Sequence, residues 1–305
     1  MLCEALRLVI QVPVLYHPHC ITPIASPPLH HPHCVLRGII NLQSSLQNLL
    51  DSIAIGDISL VDLTHSLRPD FPTLALPPEY GQVAPFKLET ISCYDSRGPA
   101  WYWNNFSCGE HTGTHLDAPS HWVTGKDLPG NTVDTLDCKK FIAPASVVDA
   151  SREVANDPDW ILSVEFLRSW EHSHGTIPRG AWLVFRTDWS KRISSPSDFL
   201  NIKSDGAHTP GPSQAAVEWL IHEREILGFA AETINTDAGQ SYRWPLPYPC
   251  HTLMHGANRL GLQCLNNVDQ LPPTGSVIIA APLKIQGGSG SPLRAFALTP
   301  ARTSY

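Results

Sequence analysis

One short segment of the chain, residues 109–122, contains the residues best suited to chemistry. His111, His115 and Asp117 stand close together in it. His115 and Asp117 are two residues apart, so in an extended chain both side chains point to the same side. Gly113 permits a sharp change of backbone direction just before them. Because imidazole nitrogen and carboxylate oxygen suit zinc or manganese, this spacing predicts a site for a divalent metal.

The same residues can also be interpreted without a metal, as unrelated surface or core histidines. One isolated histidine is usually of that kind. Here His111, His115 and His121 fall in one segment, with an aspartate between them and with glycine and proline framing them. This density favours the metal site. Histidines elsewhere are interpreted as ordinary surface or supporting residues: His65, His172, His174, His208 and His222.

The first part of the chain differs in composition from the rest. Residues 1–50 are rich in proline and contain the tetrapeptide HPHC twice, at residues 17–20 and 31–34. Such a repeat is able to hold a metal, but short motifs of this kind are weak signals. We interpret residues 1–50 as a flexible His/Pro-rich extension and residues 51–305 as the functional domain.

Elements that must position the candidate site begin after the extension. Period-two and continuous apolar runs predict strands, and three-to-four-residue apolar spacing predicts helices. Strands and helices interleave, which predicts an α/β fold in a single domain. The predicted strands cover residues 58–63, 145–149, 181–186, 226–231, 276–280 and 295–298, and the predicted helices cover 163–172 and 212–223.

Composition excludes several classes of partner. The 305-residue chain is 42% hydrophobic and carries a net charge of −7, which argues against nucleic acid or an anionic membrane surface as partner. No apolar run reaches the roughly 18 residues that a membrane-spanning helix needs. Eight cysteines are scattered without a CxxC pair, so we expect free thiols and a cytoplasmic protein.

The segment HTGTHLDAPSH, residues 111–121, resembles the signature HxGTHxDxPxH of the cyclase-like metal-dependent hydrolases, which include bacterial kynurenine formamidases and isatin hydrolases. Segments 62–65, 185–189, 210–220 and 232–237 resemble other stretches of that family. The resemblance implies a mixed β-sheet core of the swivelling β/β/α type. It also implies that family members associate as homodimers or larger assemblies, with an aromatic-bearing loop completing a neighbour's site.

Residue by residue, the resemblance implies a ligand set. His111, His115 and Asp117 would be metal ligands, and a histidine and a carboxylate twelve residues apart would follow in the second half of the chain. His251 and Gln263 match those two positions, with glutamine where kynurenine formamidases carry glutamate. Because only one carboxylate then remains to neutralise cations, a single divalent ion, Mn²⁺ or Zn²⁺, is favoured. The glutamine also resembles isatin hydrolase.

Several assignments stay open. His255, four residues after His251, is a rival ligand. Asp188 and Asp237 are candidates to brace a ligand imidazole, or are simply solvated or capping residues. Aromatic residues flank the metal segment and would suit a flat substrate, although they would equally well fill a core or a dimer contact: Trp101, Trp103, Phe106 and Trp122.

These expectations combine into one predicted activity. A bound dication would activate water for attack on the carbonyl of an amide, lactam or ester of a small aromatic or cyclic substrate. The resemblance implies that His121 is the acid/base, and an imidazole near its reference pKa of about 6.5 can both accept and donate a proton. Two alternatives remain, a metal-assisted cyclase, dehydratase or isomerase of secondary metabolism, and a catalytically inactive metal-binding relative.

Overall fold

The computed structural model describes residues 32–74 and 76–301, and the chain divides into two compact units, Met1–Leu50 and Asp51–Tyr305. The described part of the first unit is helical, since helix α1 spans Pro32–Ile55. The first HPHC tetrapeptide and the rest of residues 1–31 lie outside the described residues. Helix α1 begins within the segment that we interpret as an extension, and the flexibility of that segment stays a prediction.

The second unit alternates strands with helices. Its strands are β1 Ile58–Asp62, β2 Lys87–Cys93, β3 Tyr102–Ser107, β4 His115–Asp117, β5 Ile142–Asp149, β6 Ile161–Leu162, β7 Trp182–Arg186, β8 Ile202–Lys203, β9 Gly206–Ala207, β10 Gly211–Pro212, β11 Gly228–Ala231, β12 Leu260–Gln263, β13 Ser276–Ala280, β14 Gly290–Pro292 and β15 Ala295–Pro300. Its helices are α2 Ser151–Asn156, α3 Val164–His174, α4 Pro196–Leu200, α5 Gln214–His222 and α6 Pro249–Gly256.

A mixed nine-stranded sheet, in the order β1-β15-β13-β5-β7-β11-β12-β4-β14, is the framework of this unit. Strands β5, β7, β11 and β12 run parallel, and the strands on either side of them pair antiparallel. The two strands at one end, β4 and β14, carry or contact the candidate metal ligands. The predicted α/β fold with a mixed sheet is confirmed.

Both faces of the central strands are buried. In β7, Leu183 and Phe185 enter one apolar core while Trp182 and Val184 enter another, as the alternation of a strand requires. Helices α2, α3, α5 and α6 cover the first core. The second core gathers residues from strands far apart in the sheet order, including Val61, Leu116 and Ala297, so the sheet curls around it.

Most of the predicted elements are present, with boundaries shifted by a few residues. Helix α3 begins as expected, with the Ser163 hydroxyl capping it by accepting from the Phe166 backbone N–H. The prediction that Pro212 opens a helix is wrong. Pro212 pairs with Leu162 in a short parallel bridge, and Ser213 caps α5 instead.

Two features were not predicted from the sequence. Strands β2 and β3 form a separate antiparallel hairpin that lies outside the main sheet. Strands β4, β12 and β14 are three or four residues long and carry few apolar residues, so their periodicity is too short to detect. Within the described residues, no helix has the length and apolar character needed to cross a membrane.

Candidate metal centre

Strand β4 holds two of the predicted ligands inside the sheet. It pairs antiparallel with β12 on one side and with β14 on the other, with Asp117 opposite Gly261 and Gly290. The turn before it depends on Gly113, whose φ of +69° suits glycine and whose Cβ would come within 2.4 Å of Leu67. These contacts fix the direction in which His115 and Asp117 leave the strand.

Three predicted ligands converge on one point. His111 Nδ1 lies 2.6 Å from Asp117 Oδ1, and His115 Nε2 lies 3.4 Å from the same oxygen. Asp117 is fully buried. Burial alone would raise its pKa, but the imidazoles of His121 and His111 outweigh that effect and hold the pKa of Asp117 well below its ordinary value. A carboxylate anion therefore stands at the centre of the cluster.

Helix α6 brings two further imidazoles to the other side of Asp117. His251 and His255 are one helical turn apart, and each offers a nitrogen that groups with the Asp117 carboxylate. The structure therefore brings both candidate ligands of this helix, His251 and His255, to the cluster. Burial disfavours a charged His251, but its hydrogen bonds to Asp117 and Asp237 prevail and raise its pKa to about 9. Burial and the nearby His251 lower the pKa of His255 to about 4.

The two aspartates considered as braces have different positions. Asp237 accepts hydrogen bonds from His251 Nδ1 at 2.6 Å and from the backbone N–H groups of Cys250 and His251. It therefore holds both the ring and the start of helix α6. Asp188 instead forms ion pairs with Arg186 and Lys191, away from the predicted ligands.

Gln263 reaches the cluster from strand β12. Its amide Nε2 donates to Asp117 Oδ2 over 2.7 Å and lies 3.5 Å from His251 Nε2. An amide nitrogen does not bind a cation, so the carbonyl oxygen is the only atom through which this side chain can be a ligand. The hydrogen bond helps to compensate the buried charge of Asp117.

His121 lies on a short 3₁₀ helix, Pro119–His121, directly after β4. Its ring centroid is 3.9 Å from that of His111 and 5.6 Å from that of His251. Burial lowers the pKa of His121 to about 3, because desolvation and the neighbouring imidazoles outweigh the attraction of Asp117. The expectation of a pKa near the reference value does not hold, and the ring is a neutral base at neutral pH.

The predicted aromatic contacts separate into two groups. The Trp122 ring lies 4.8 Å from that of His251, and its indole N–H donates to the Thr252 hydroxyl. Trp101, Trp103 and Phe106 belong to the hairpin region and expose 49%, 54% and 61% of their surface, so they do not fill a core of this chain. The hairpin ends beside a cleft of about 370 Å³, which is lined mostly by apolar side chains, Phe106 among them, together with Glu110.

Residues that the sequence did not identify lie behind His111. Its Nε2 is 3.0 Å from the Ser289 hydroxyl, which donates to the Glu110 carboxylate over 2.6 Å. Gly290 permits this arrangement, since a Cβ there would come within 2.4 Å of the His111 ring. The glycine-rich run at residues 287–290 was the available signal, because glycine often marks a close approach of the backbone to another group.

The donor set fits a divalent metal ion. The ligand atoms of His111, His115 and Asp117 all lie within 4.8 Å of one another, and so do those of Asp117, His251 and His255. Three buried imidazoles and the half-buried imidazole of His111 thus stand around one anionic carboxylate. Imidazole and carboxylate are the usual donors for zinc or manganese. Their outer nitrogen atoms are already occupied by Gly113 O, Asp237 and Ser289, which leaves the inner nitrogen atoms toward Asp117.

Comparison with known proteins decides the family. The family model "Putative cyclase" matches residues 61–238. The chain belongs to the cyclase family. Isatin hydrolase of Roseibium aggregatum is 46% identical over 259 residues, which cover 85% of this chain and 98% of the relative. The expected membership among cyclase-like metal-dependent hydrolases is therefore confirmed.

Solved structures in this cyclase family support the same relationship. Isatin hydrolase A from Ralstonia solanacearum has 66% sequence identity and a TM-score of 0.83, covering 83% of this chain and 97% of its own. An isatin hydrolase bound to the product analogue thioisatinate has 46% identity and a TM-score of 0.83, with coverages of 85% and 98%. The similarity extends over nearly the whole length of each relative.

Proposed function

We propose that this chain is a metal-dependent hydrolase that opens the lactam ring of isatin or of a closely similar bicyclic lactam. The observation that carries the proposal is the convergence of His111, His115 and Asp117 on one buried point, in a chain 66% identical to an isatin hydrolase A. The reaction adds the hydroxyl of water to the lactam carbonyl carbon, breaks the carbon–nitrogen bond and places a proton on the nitrogen. The product is one water molecule heavier than the substrate.

His111 Nδ1, His115 Nε2 and Asp117 Oδ1 would hold one divalent ion, Mn²⁺ or Zn²⁺. When bound, such an ion would activate water and polarise a carbonyl oxygen. His251 Nε2 and Gln263 Oε1 are further candidate ligands, because His251 Nε2 lies 3.6 Å from Asp117 Oδ2 and the Gln263 amide binds that same oxygen. One ion rather than two is supported by the single carboxylate at the centre of the cluster.

His121 is suited to move the proton. Its ring is kept neutral by burial, so it can accept a proton from the attacking water. Among the described residues no protein group forms a hydrogen bond with this ring, which leaves its nitrogen atoms available to substrate and water. Because burial disfavours the charged form, a protonated His121 returns its proton readily, and the departing lactam nitrogen is the natural acceptor.

Trp122 and Tyr248 provide flat surfaces beside the metal ligands. Their rings lie 5.6 Å apart in an edge-to-face arrangement, and Trp122 also contacts the His251 ring. A planar bicyclic lactam fits against such a surface, because aromatic rings prefer offset or edge-to-face packing at these separations. We propose Trp122 as the principal substrate contact and leave the hairpin aromatics to an intersubunit role.

Hydrolysis of isatin by the purified protein, reconstituted with Mn²⁺ or Zn²⁺, tests this proposal. We expect loss of isatin and a product heavier by one water molecule in the mass spectrum. A product without added water would identify the site as a cyclase, dehydratase or isomerase centre. No turnover of isatin or of N-formylkynurenine with either ion would overturn the hydrolase proposal.

Two variants separate metal binding from proton transfer. His121→Ala should keep its metal and lose about 10²–10⁴-fold in turnover, the usual contribution of a positioned acid/base. His111→Ala should lose the metal itself. His174→Ala, at an exposed position on α3, is the matched control and should behave like the parent protein. Full turnover by metal-free His111→Ala would contradict the assignment.

A homodimer is also proposed, because the hairpin formed by β2 and β3 presents large apolar side chains to solvent. Trp103 and Phe106 are more than half exposed, as is Tyr94 near the tip. Contiguous exposed aromatic surface of this kind marks a protein–protein contact. Light scattering coupled to size exclusion should give twice the chain mass, and Trp103→Ser with Phe106→Ser should shift it toward the monomer.

A reducing, cytoplasmic location is proposed from the thiols. Five cysteines of the second unit are free, namely Cys93, Cys108, Cys138, Cys250 and Cys264, and the last two are buried. Free thiols that lie apart in a chain are typical of reducing compartments. Thiol titration of the unfolded protein isolated without reductant should count every cysteine as reduced, and stable disulfides in that sample would contradict the assignment.

A further inference from the structure

We propose that Glu110 and Ser289 act as positioning residues that select the tautomer of His111, so that its Nδ1 lone pair faces the cation site. This inference rests on the proposed role of His111 as a metal ligand. The two residues, called here the Glu110–Ser289 relay, come from distant parts of the chain, since Ser289 and Glu110 are separated by 179 positions. Both are half-buried, and Glu110 also lines the apolar cleft.

Hydrogen-bond accounting fixes which atom carries each proton. The Glu110 carboxylate accepts from the Ser289 hydroxyl at 2.6 Å and from the Ser289 backbone N–H at 3.1 Å. A hydroxyl has a single hydrogen, and an ionised carboxylate can only accept. The Ser289 hydrogen therefore points to Glu110, and its oxygen can only accept from His111.

The position of the Ser289 hydrogen determines which nitrogen of His111 carries a proton. Its Nε2 lies 3.0 Å from the Ser289 oxygen, so Nε2 must carry a proton to form that hydrogen bond. The Asp117 carboxylate can only accept, so Nδ1 shares a proton with it. A bound cation would displace that proton, and because Ser289 keeps the other proton on Nε2, the Nδ1 lone pair would then face the ion. Nδ1 is the atom that lies 2.6 Å from Asp117 Oδ1, on the cation side of the ring.

Two other imidazoles of the cluster, those of His115 and His251, also bond an outer partner through one ring nitrogen. His115 Nδ1 contacts the Gly113 carbonyl at 2.7 Å, and His251 Nδ1 contacts Asp237 at 2.6 Å. Each therefore presents its other nitrogen toward Asp117. Outer partners of this kind orient a ligand histidine and raise its basicity. The relay orients the His111 ring in the same way as the Gly113 carbonyl orients His115 and the Asp237 carboxylate orients His251.

Substitution distinguishes the relay from simple packing. Ser289→Ala removes the acceptor for Nε2, and Glu110→Ala frees the serine hydrogen to point at Nε2 and favour the wrong tautomer. We expect each variant to bind Mn²⁺ about 10–100-fold more weakly, the range for lost outer-shell partners of metal ligands. Because Glu110 acts through Ser289, the double variant should bind Mn²⁺ no more weakly than the weaker of the two single variants.

Calorimetric titration of the metal-free full chain with MnCl₂ gives the affinities. Ser291→Ala is the matched control, because Ser291 lies two residues further on, is fully buried and accepts a hydrogen bond from the Leu283 backbone. It should lower the melting temperature and leave Mn²⁺ affinity unchanged. Histidine ring ¹⁵N spectra of the Zn²⁺-loaded protein should show His111 protonated at Nε2 in the parent.

These measurements distinguish failure of the relay from failure of the proposed metal-dependent function. Parent-like Mn²⁺ affinity in both Ser289→Ala and Glu110→Ala, or a His111 ring protonated at Nδ1, would overturn the relay while the metal site stands. Absence of Mn²⁺ and Zn²⁺ binding by the parent chain, or parent affinity in His111→Ala, would instead overturn the proposed function. Equal losses of affinity in Ser291→Ala would show that the relay variants act through general destabilisation, which also overturns the inference.

Discussion

The amide of Gln263 donates a hydrogen bond to Asp117 Oδ2 over 2.7 Å, across the antiparallel pair of strands β12 and β4. Both side chains are buried, so this neutral donor adds to the compensation that the neighbouring imidazoles give the buried anion. A single carboxylate consequently sets the charge of the metal centre, and the residue opposite it controls how much positive charge the centre can accept.

Gln263→Glu should change both metal content and stability. The second carboxylate would face Asp117 at hydrogen-bond distance, so the metal-free protein should lose about 3 kcal/mol of unfolding free energy, as for an uncompensated buried charge. The same carboxylate would neutralise a second dication, so bound metal should rise from one to two ions per chain. Elemental analysis and urea unfolding measure these quantities.

Gln240→Glu is the control for that change, because Gln240 bonds the Ala207 carbonyl instead of a metal ligand. It should leave metal content at the parental value. One bound ion in Gln263→Glu, with a metal-free protein as stable as the parent, would contradict the proposed role of this position.

Asp237→Asn should weaken metal binding by about 10–100-fold if His251 is a ligand, because Asp237 orients that imidazole. Asp188→Asn is the matched control. Asp188 is partly exposed, and asparagine tolerates its φ of +56°, so only the weak ion pairs are lost. Equal Mn²⁺ affinity in the two variants would point to His255 instead of His251 as the ligand from helix α6.

Stability should fall at acid pH through His65. Burial, assisted by Arg68, lowers the pKa of His65 to about 4, whereas an unfolded histidine titrates near 6.5. Between these values the unfolded chain binds more protons, so stability contributed at neutral pH is lost as the pH falls from 6.5 toward 4. At pH 5 the loss amounts to about 2 kcal/mol.

Comparison with His65→Phe isolates this contribution, since phenylalanine does not titrate and the site already packs against Phe71. The difference in unfolding free energy between pH 7 and pH 5 should shrink by about 2 kcal/mol in this variant. His172→Phe, at an exposed position, should retain the parental difference. An unchanged pH dependence in His65→Phe would show that His65 is not the group responsible.

Gly290→Ala should displace His111. The added Cβ would lie 2.4 Å from the ring and 2.7 Å from the Leu116 carbonyl, so the ring or strand β14 must move. We expect Mn²⁺ affinity to fall at least tenfold. Gly287→Ala is the control, because its φ of +69° costs about 1 kcal/mol while no atom obstructs the methyl group. Parental Mn²⁺ affinity in Gly290→Ala would show that the ring has room to adjust.

Local patterns made part of this molecule predictable. The strand at Trp182–Arg186 and helix α3 follow from residues that are neighbours in sequence. The grouping of His115 with Asp117 is equally local. Ser289 is 178 positions from His111, however, and no periodicity links the two. The pKa of His121 was misjudged for a related reason, since burial by remote elements determines it.

The geometry of helix α6 explains why His255 stayed a rival of His251 as a predicted metal ligand. His251 and His255 are a single turn apart on α6, so any position that brings one ring to Asp117 brings the other close. Helical spacing alone does not rank them, and the sequence favoured His251 only through its twelve-residue spacing to Gln263, which fits the family. The hydrogen bonds rank them, because the Asp237 side chain holds His251, whereas the one hydrogen bond of the His255 side chain within the described part of the chain is to the Arg259 carbonyl, at 3.2 Å.

Strand β4 is enclosed by two strands that are synthesised much later, β12 and β14. While the ribosome is still producing the chain, the histidines of the signature have neither Gln263 beside them nor Ser289 behind them. Ion capture should therefore be the last event of maturation, delayed until nearly the entire polypeptide has emerged. A nascent chain truncated before residue 260 would carry the complete signature and yet fail to retain an ion.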